Sequence, residues 1–295
     1  MGKFKLKYSA ENSRSAWLFL LPTLLIVFVF SIYPLFRSFI MSFQSGRLGN
    51  MSFNGIRNYQ VVITDPKFHD AMKNTALYAF AVVPIGIIIS LVIAWLIFDR
   101  LKFKSFFETI FFLPYLTSTV AIGVVFRYLF NFDYGMINHL LGFVGIAPIN
   151  FLDNVNMSVW TLIIFGVWSG LAFNIIILLS GLRSINQEYY KVADMFGATK
   201  REQFFKITVP QLIPIITFLF SVGLISAFKV YTQVFALFGG KAGIANSAMT
   251  AVFYIYDKFY VQTRFGQGMA ATIILFVIIL LITFIQNKVI AWITK

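Results

Sequence analysis

Cysteine is absent from this 295-residue sequence, and histidine occurs only twice. Without cysteine the chain can form no disulfide, thiolate nucleophile or Cys-based metal site. The two histidines, His69 and His139, fall in separate predicted loops, so the sequence predicts no metal centre. Paired carboxylates, a serine nucleophile motif and a phosphate-binding P-loop are missing as well. These absences predict no catalytic residue and indicate that the chain is not itself an enzyme.

Charged side chains are also scarce, at 12% of the residues, whereas hydrophobic residues make up 59%. Because a soluble globular protein has about 25% charged residues, this composition cannot supply an ordinary water-exposed surface. It indicates an all-α, polytopic membrane protein. Lys and Arg number 24 against 11 Asp and Glu. In a membrane protein this excess is typical of cytoplasmic loops, so we predict no nucleic-acid partner and expect membrane lipid instead.

Six apolar stretches are long enough to cross a bilayer as helices, which takes about 20 residues each. They predict one membrane domain over residues 1–295, without a soluble domain or an internal repeat. The predicted spans are residues 16–39, 75–98, 107–130, 155–182, 207–236 and 265–290.

Basic residues cluster on one side of these spans, in both tails and in the second and fourth loops. They are Lys3, Lys5, Lys7, Arg14, Arg100, Lys102, Lys104, Arg183, Lys191, Lys200, Arg201, Lys206, Lys288 and Lys295. The third loop, residues 131–158, contains no Lys or Arg. By the positive-inside rule, both termini are expected in the cytoplasm of a bacterial cell.

Two outer loops contain patterns of short helices. Pro66–Lys73 predicts a separate helix before the second span, because proline favours the first turn of a helix. Residues 134–141 form an amphipathic run that predicts a helix at the outer membrane interface.

The fourth loop, residues 184–207, has the strongest local pattern. Ser184 with Gln187, and Thr199 with Glu202, each fit a capping box and predict two short helices joined at Gly197. The first helix offers apolar side chains to the cytoplasm, namely Tyr189, Tyr190, Val192, Ala193, Met195 and Phe196. This surface predicts either a helix that lies on the bilayer or its own bundle, or a docking site for a cytoplasmic partner.

This loop resembles the EAA loop of permease subunits from ATP-binding-cassette (ABC) importers. The matching positions are Ala193, Gly197, Ala198, Ile207 and Pro210. Lys191 stands where the family usually has Glu, and Phe196 where it often has Asp. The resemblance implies an ATPase-docking loop, with Glu188 or Asp194 as an alternative source of negative charge. Its docking residues would be Glu188, Tyr190, Lys191, Ala193, Asp194, Phe196, Gly197, Ala198 and Pro210.

Further motifs in the same order resemble carbohydrate-uptake permeases of the MalF-like half. They are Asn74-Thr75, Phe111–Tyr115, Leu129–Asn138, Tyr254–Tyr256 and Phe265-Gly266. The resemblance implies a type I ABC importer fold and a sugar or oligosaccharide as substrate. It also implies a second, MalG-like permease, a cytoplasmic ATPase dimer and an extracellular or periplasmic solute-binding protein. This chain would bind no cofactor, because ATP and Mg would be bound by the ATPase.

Polar residues within a bilayer are costly, so each is a candidate for the substrate pathway. The candidates are Trp168, Gly170, Asn174, Ser226, Lys229, Tyr231, Thr232 and Gln233. Helical spacing predicts that Lys229, Thr232 and Gln233 line one cavity with Ser226. Snorkelling of Lys229 and helix–helix hydrogen bonding by Asn174 are the alternative roles. A secondary transporter or channel without an ATPase is the alternative function, although it would favour midplane charges and inverted repeats.

Overall fold

The computed structural model describes residues 10–100 and 104–293, with no side-chain description for a few residues at the ends of these ranges. Lys3, Lys5, Lys7, Lys102 and Lys295, which entered the orientation prediction, lie outside the described residues. The helices are α1 Ala10–Val27, α2 Tyr33–Ser42, α3 Arg57–Thr64, α4 Pro66–Arg100, α5 Lys104–Leu116, α6 Thr119–Leu129, α7 Met136–Phe143, α8 Ser158–Ser184, α9 Glu188–Met195, α10 Lys200–Gln203, α11 Val209–Phe228, α12 Thr232–Leu237, α13 Ala251–Tyr256 and α14 Phe265–Ile293. Single π-helical turns occupy Phe28–Ile32, Phe204–Thr208 and Asp257–Val261, and a 3₁₀ turn occupies Ile244–Asn246.

Five long helical segments in the described chain are apolar enough to cross a membrane, and a bent pair of helices supplies a sixth candidate. The five are Ala16–Ser42, Pro66–Phe98, Ser158–Ser184, Lys200–Phe228 and Phe265–Ile290. The predicted all-α, polytopic fold is therefore confirmed. The described residues also contain a small antiparallel hairpin, β1 Gln44–Arg47 with β2 Asn50–Phe53, in the first loop.

The second span does not follow a separate short helix, as the sequence predicted for Pro66–Lys73. Instead α4 begins at Pro66 and continues without a break to Arg100. Asp65 starts it, because its carboxylate accepts a hydrogen bond from the backbone N–H of Lys67 at 3.0 Å. The predicted outer-loop helix is thus the first two turns of the span.

The third predicted span, 107–130, is broken. Its halves, Thr109–Leu116 and Thr119–Leu129, meet at an angle of 102°. Pro114 precedes the bend, and Ser118 adopts an extended conformation, so no helix can pass through. α6 therefore turns aside and packs against α12, where a side chain on Gly123 would collide with Ala236.

The fifth predicted span, 207–236, is wrong at both ends. α10 runs through a π-helical turn into α11, so the helical segment starts at Lys200. α11 ends at Phe228, and α12 begins only at Thr232. The break is stabilised because Thr250 Oγ1 donates a hydrogen bond of 2.8 Å to the carbonyl of Val230.

The core of the bundle lies around α4, which packs most extensively against α8 and also packs against α11. Its largest fully buried side chains include Tyr254, Phe165, Phe228, Ile97, Leu162, Ile175, Leu178, Leu182, Leu212 and Leu219. Gly181 faces Leu212 and Ile215, and Gly223 faces Val83, so glycines let neighbouring helices approach closely. By contrast, the first span is Ala16–Ser42, and no residue in its most apolar stretch is buried within this chain.

Side-chain amides and hydroxyls fix the loops that connect the spans. Asn74 donates two hydrogen bonds, to the carbonyls of Ser247 at 2.9 Å and Met249 at 3.0 Å. Thr75 accepts one from the backbone N–H of Ala251 at 2.8 Å. Asn138 both donates to and accepts from the backbone of Ile149 at 2.9 Å. The Asn74-Thr75 and Leu129–Asn138 motifs are thereby explained as structural clamps.

An ion pair joins the first and fifth loops. Lys258 is 5% exposed, and its Nζ lies 2.9 Å from Asp65 Oδ2, which also accepts a 2.9 Å hydrogen bond from the Tyr254 hydroxyl. Burial acts to raise the pKa of Asp65, but the hydrogen bonds from Lys258 and Tyr254 outweigh it and hold the pKa below its ordinary value. Asp65 therefore stays ionised and joins these loops.

Candidate functional site

Two regions are candidates for function: segment 184–207, called here the docking loop, and a cavity between the spans. In the docking loop, α9 stops at Gly197, whose φ of 74° is accessible to glycine at little cost. The N–H of Gly197 bonds to the carbonyl of Asp194, and that of Ala198 to the carbonyl of Ala193, both at 3.0 Å. The predicted helix stop at Gly197 is confirmed.

One of the two predicted capping boxes is present. Thr199 Oγ1 accepts from the N–H of Glu202 at 3.3 Å, and Glu202 Oε2 accepts from the N–H of Thr199 at 2.9 Å. The box at Ser184 and Gln187 is wrong, because α8 continues through Ser184. Instead, Asn186 Oδ1 accepts a hydrogen bond of 2.9 Å from the backbone N–H of Glu188, the first residue of α9.

The inner face of α9 is fixed to the bundle by polar contacts. The Tyr190 hydroxyl lies 2.9 Å from Thr208 Oγ1, at the start of α11. Gln203 is only 3% exposed, and its amide N–H₂ donates to Asp194 Oδ1 at 2.6 Å and to the carbonyl of Ala198 at 3.3 Å. Lys200 donates to the Gln203 Oε1 at 3.2 Å. This network sets the position of α9 relative to α10.

The outer face of the docking loop is apolar and open. Met195 and Phe196 are 86% and 88% exposed, the most exposed large apolar side chains in the described chain. Tyr189 and Val192 are about half exposed beside them. Glu188, Lys191, Asp194, Gly197 and Pro210 are exposed, and Tyr190, Ala193 and Ala198 are partly buried. Pro210 lies inside α11, whose helix already extends back to α10.

The second region is a cavity of about 450 Å³ bounded by α4, the bend between α5 and α6, α8 and α11. Five of the predicted pathway residues line it: Trp168, Gly170, Asn174, Ser226 and Gln233. Lys229, Tyr231 and Thr232 do not, although Val230 and Gln233, which also follow the end of α11 at Phe228, line it. The predicted grouping of Lys229 and Thr232 with Ser226 is therefore wrong.

Lys229 and Tyr231 have other surroundings. Lys229 is exposed at the end of α11. The Tyr231 ring packs into an aromatic cluster, with ring centroids 5.1 Å from Tyr256 and 5.7 Å from both Phe235 and Phe253. Tyr231 thus serves packing of the outer loops.

Polar groups in the cavity lack partners. The side chains of Asn174, Ser226 and Gln233 and the indole N–H of Trp168 make no hydrogen bond within the described residues. Aromatic rings form part of the wall. The ring centroid of Trp168 lies 4.8 Å from that of Phe126, and Tyr115 stacks on Phe173 with ring centroids 6.0 Å apart. Such a site combines apolar platforms with a few free polar groups, as small-molecule sites do.

Sequence reasoning missed Tyr78, a residue of α4 that lines the cavity. It is 3% exposed, and its hydroxyl makes no hydrogen bond within the described residues. Gly166 makes room for the hydroxyl, because any side chain there would collide with it. The available signal was a lone tyrosine in an otherwise apolar run, which sequence alone cannot distinguish from packing.

Comparison with known proteins agrees with these features. The family model described as "binding-protein-dependent transport system inner membrane component" matches residues 86–295. Among curated relatives, the arabinooligosaccharides transport permease AraP of Bacillus subtilis is 31% identical over 94% of this chain and 89% of its own. The multiple sugar-binding transport permease MsmF of Streptococcus mutans is 31% identical over 94% and 95%. The trehalose/maltose permease MalF of Thermococcus litoralis is 29% identical over 97% and 96%.

Solved structures give the same fold. The crystal structure of a bacterial ABC transporter that imports the acidic polysaccharide alginate superposes with a TM-score of 0.84, at 23% identity and over 97% of this chain and 98% of that one. A bacterial alginate ABC transporter in complex with an alginate pentasaccharide-bound periplasmic protein gives a TM-score of 0.85 at 22% identity, over 97% of this chain and 96% of that one.

Proposed function

This chain belongs to the binding-protein-dependent transport system inner membrane components, the permease subunits of ABC importers, and we propose that its substrate is a sugar or oligosaccharide. The observation that carries the proposal is the cavity. Free amides on Asn174 and Gln233, the Trp168 indole and the Tyr78 hydroxyl face a space with aromatic walls. A saccharide would satisfy these groups with its hydroxyls and cover the rings with its apolar face. The sugar permeases among its relatives support the same substrate class.

The position of the docking loop supports a mechanism in which ATP hydrolysis by a partner moves the spans of this chain. We expect ATP and Mg to bind a separate cytoplasmic ATPase dimer, and this subunit to catalyse no reaction. Because Lys200–Phe228 forms one helical segment, a force on the docking loop would reach the cavity residues Gly223 and Ser226 directly. Rigid-body movement of such a segment would switch the pathway between inward-open and outward-open arrangements.

The remaining partners complete the transporter. A second, MalG-like permease would form the other half of the pathway, and an extracellular or periplasmic solute-binding protein would deliver substrate to the outer loops. Lipid would cover the rest of the apolar surface. The basic residues of the docking loop support a cytoplasmic location for this loop and for both termini.

Uptake tests this proposal. Right-side-out vesicles from cells that express the whole importer should take up labelled oligosaccharide only with external binding protein and internal ATP. Persistence of uptake without ATP, driven by a proton or sodium gradient, would instead support a secondary transporter. A panel of neutral saccharides, acidic saccharides and amino acids identifies the substrate class, and uptake of amino acids alone would contradict the sugar proposal.

A further inference from the structure

The acidic side chains of the docking loop have partners within the loop, whereas two of its basic side chains do not. Each of its three acids has a partner within the loop: Glu202 with Thr199 and Lys206, Asp194 with Gln203 and Lys200, and Glu188 with Asn186. Two of its exposed cations, Lys191 and Arg201, have no hydrogen-bond or ion-pair partner for their side chains in the described part of the chain. The charge left free to meet a partner is therefore positive.

Between these cations, the exposed tip of the loop is apolar. Met195 and Phe196 stand almost fully exposed at the end of α9. Gly197 beside them has open space where a side chain would be. A partner can thus approach the tip closely. Burying Phe196 in an apolar pocket would remove its ring from water, which is favourable by about 2 kcal/mol or more.

Given that the docking loop binds an ATPase, as proposed above, we infer that the cleft which receives it has an apolar floor for Met195 and Phe196 and an acidic rim opposite Lys191 and Arg201. The positions of Lys191 and Phe196 carry acids in the EAA pattern that the loop resembles. A cleft suited to those acids would place a cation against Lys191 and would desolvate a carboxylate where Phe196 binds. The two residues therefore act as specificity determinants for one kind of ATPase.

A membrane surface also attracts basic and apolar side chains, but the geometry favours a protein. Tyr190 and Asp194 lie one turn apart on α9, and they contact Thr208 at the start of α11 and Gln203 in α10, respectively. Because this face of α9 is turned to the bundle, Val192 and Phe196 point away from it. The apolar tip therefore points away from the bundle, where a protein partner can cover it.

Co-purification tests the inference. The tagged chain, expressed with the rest of its importer, is isolated in mild detergent, and the bound P-loop ATPase is quantified. Lys191→Glu and Phe196→Asp should each reduce the ATPase recovered by about tenfold, whereas Phe196→Leu should retain it. Lys241→Glu, the same charge reversal in the fifth loop, is the matched control. Recovery should also fall with increasing salt for the native chain.

The outcomes separate this inference from the proposed function. If the native chain recovers no ATPase, the proposed function itself fails. If it recovers the ATPase and both the Lys191→Glu and Phe196→Asp variants recover equal amounts, the cleft chemistry inferred here is wrong.

A fluorescent label tests the membrane alternative directly. Because the chain has no cysteine, Phe196→Cys provides a unique attachment point. In the assembled importer, the label should be shielded from a water-soluble quencher only while the ATPase is bound. Quenching by brominated lipids would place the tip in the bilayer and overturn the inference.

Discussion

The docking loop and the cavity differ in the kind of side chain that each leaves without a partner. In the docking loop the buried or acidic polar groups have partners, as Gln203 has in Asp194 and Ala198, while the apolar side chains of Met195 and Phe196 remain in water. In the cavity the aromatic rings pack on one another, while the polar side chains of Asn174 and Gln233 remain unpaired.

This difference indicates what completes each region. Exposed apolar surface is stabilised by another apolar surface, which a folded protein partner can provide without hydrogen bonds. Unpaired amides in a membrane interior need hydrogen-bonding groups, which a hydroxyl-rich solute or water can provide and then release. A permanent partner thus suits the loop, and an exchangeable ligand suits the cavity.

The largest effect is expected from Gly197→Trp. A side chain at φ 74° strains the backbone, and the indole would occupy the space that the ATPase needs beside Phe196. ATP-driven uptake should fall by about 100-fold or more, to background, while the protein still inserts in the membrane; vesicle uptake and membrane immunoblots measure the two. Gly145→Trp is the matched control, because Gly145 has φ 75° and equally open surroundings in the third loop. Normal uptake by Gly197→Trp would exclude docking at this loop.

Gln203→Leu tests whether the polar contacts of the docking loop transmit force. Leucine keeps the volume but removes the hydrogen bonds to Asp194 and Ala198, which costs about 1–3 kcal/mol at a buried site. We expect uptake to fall by about tenfold with ATP hydrolysis retained, so the number of substrates moved per ATP decreases. Gln211→Leu, at an exposed position on α11, should leave this ratio unchanged. An unchanged ratio in Gln203→Leu would show that α9 needs no internal fixation.

A smaller effect is expected in the cavity. Asn174→Leu and Tyr78→Phe each remove one hydrogen-bonding group without opening a hole. Each should raise KM for uptake by about fivefold, corresponding to about 1 kcal/mol, with little change in maximal rate. Asn156→Leu, on the exposed outer surface, is the control. If KM stays constant in both cavity variants, the free polar groups bind water and not substrate.

The sequence predicted more of the docking loop than of the cavity. The docking loop depends on local rules, since the Thr199–Glu202 box and the Gly197 stop involve residues close in the chain. The cavity depends on breaks in the spans, and apolar runs do not reveal them. The end of α11 at Phe228 is stabilised by Thr250 from a distant loop, and the bend after Leu116 follows a single proline. Only the folded structure identifies Tyr78 as a candidate binding residue, because it places the hydroxyl beside Gly166 in the cavity wall.

The smallest effect is expected for Lys229→Ala. This variant tests whether the cavity is lined as helical spacing predicts, with Lys229 in it, or as the structure shows, without it. A continuous helix would place Lys229 near Ser226 and Gln233, and its loss would then change rate or selectivity. In the structure the chain leaves the helix at Lys229, and the ammonium group is exposed outside the cavity wall. Uptake of neutral saccharides should therefore stay within about twofold of the native rate, because an exposed unpaired charge contributes less than about 1 kcal/mol. Lys241→Ala should behave the same way. A loss confined to Lys229→Ala, and strongest for acidic saccharides, would show that the lysine reaches the pathway when the importer is assembled.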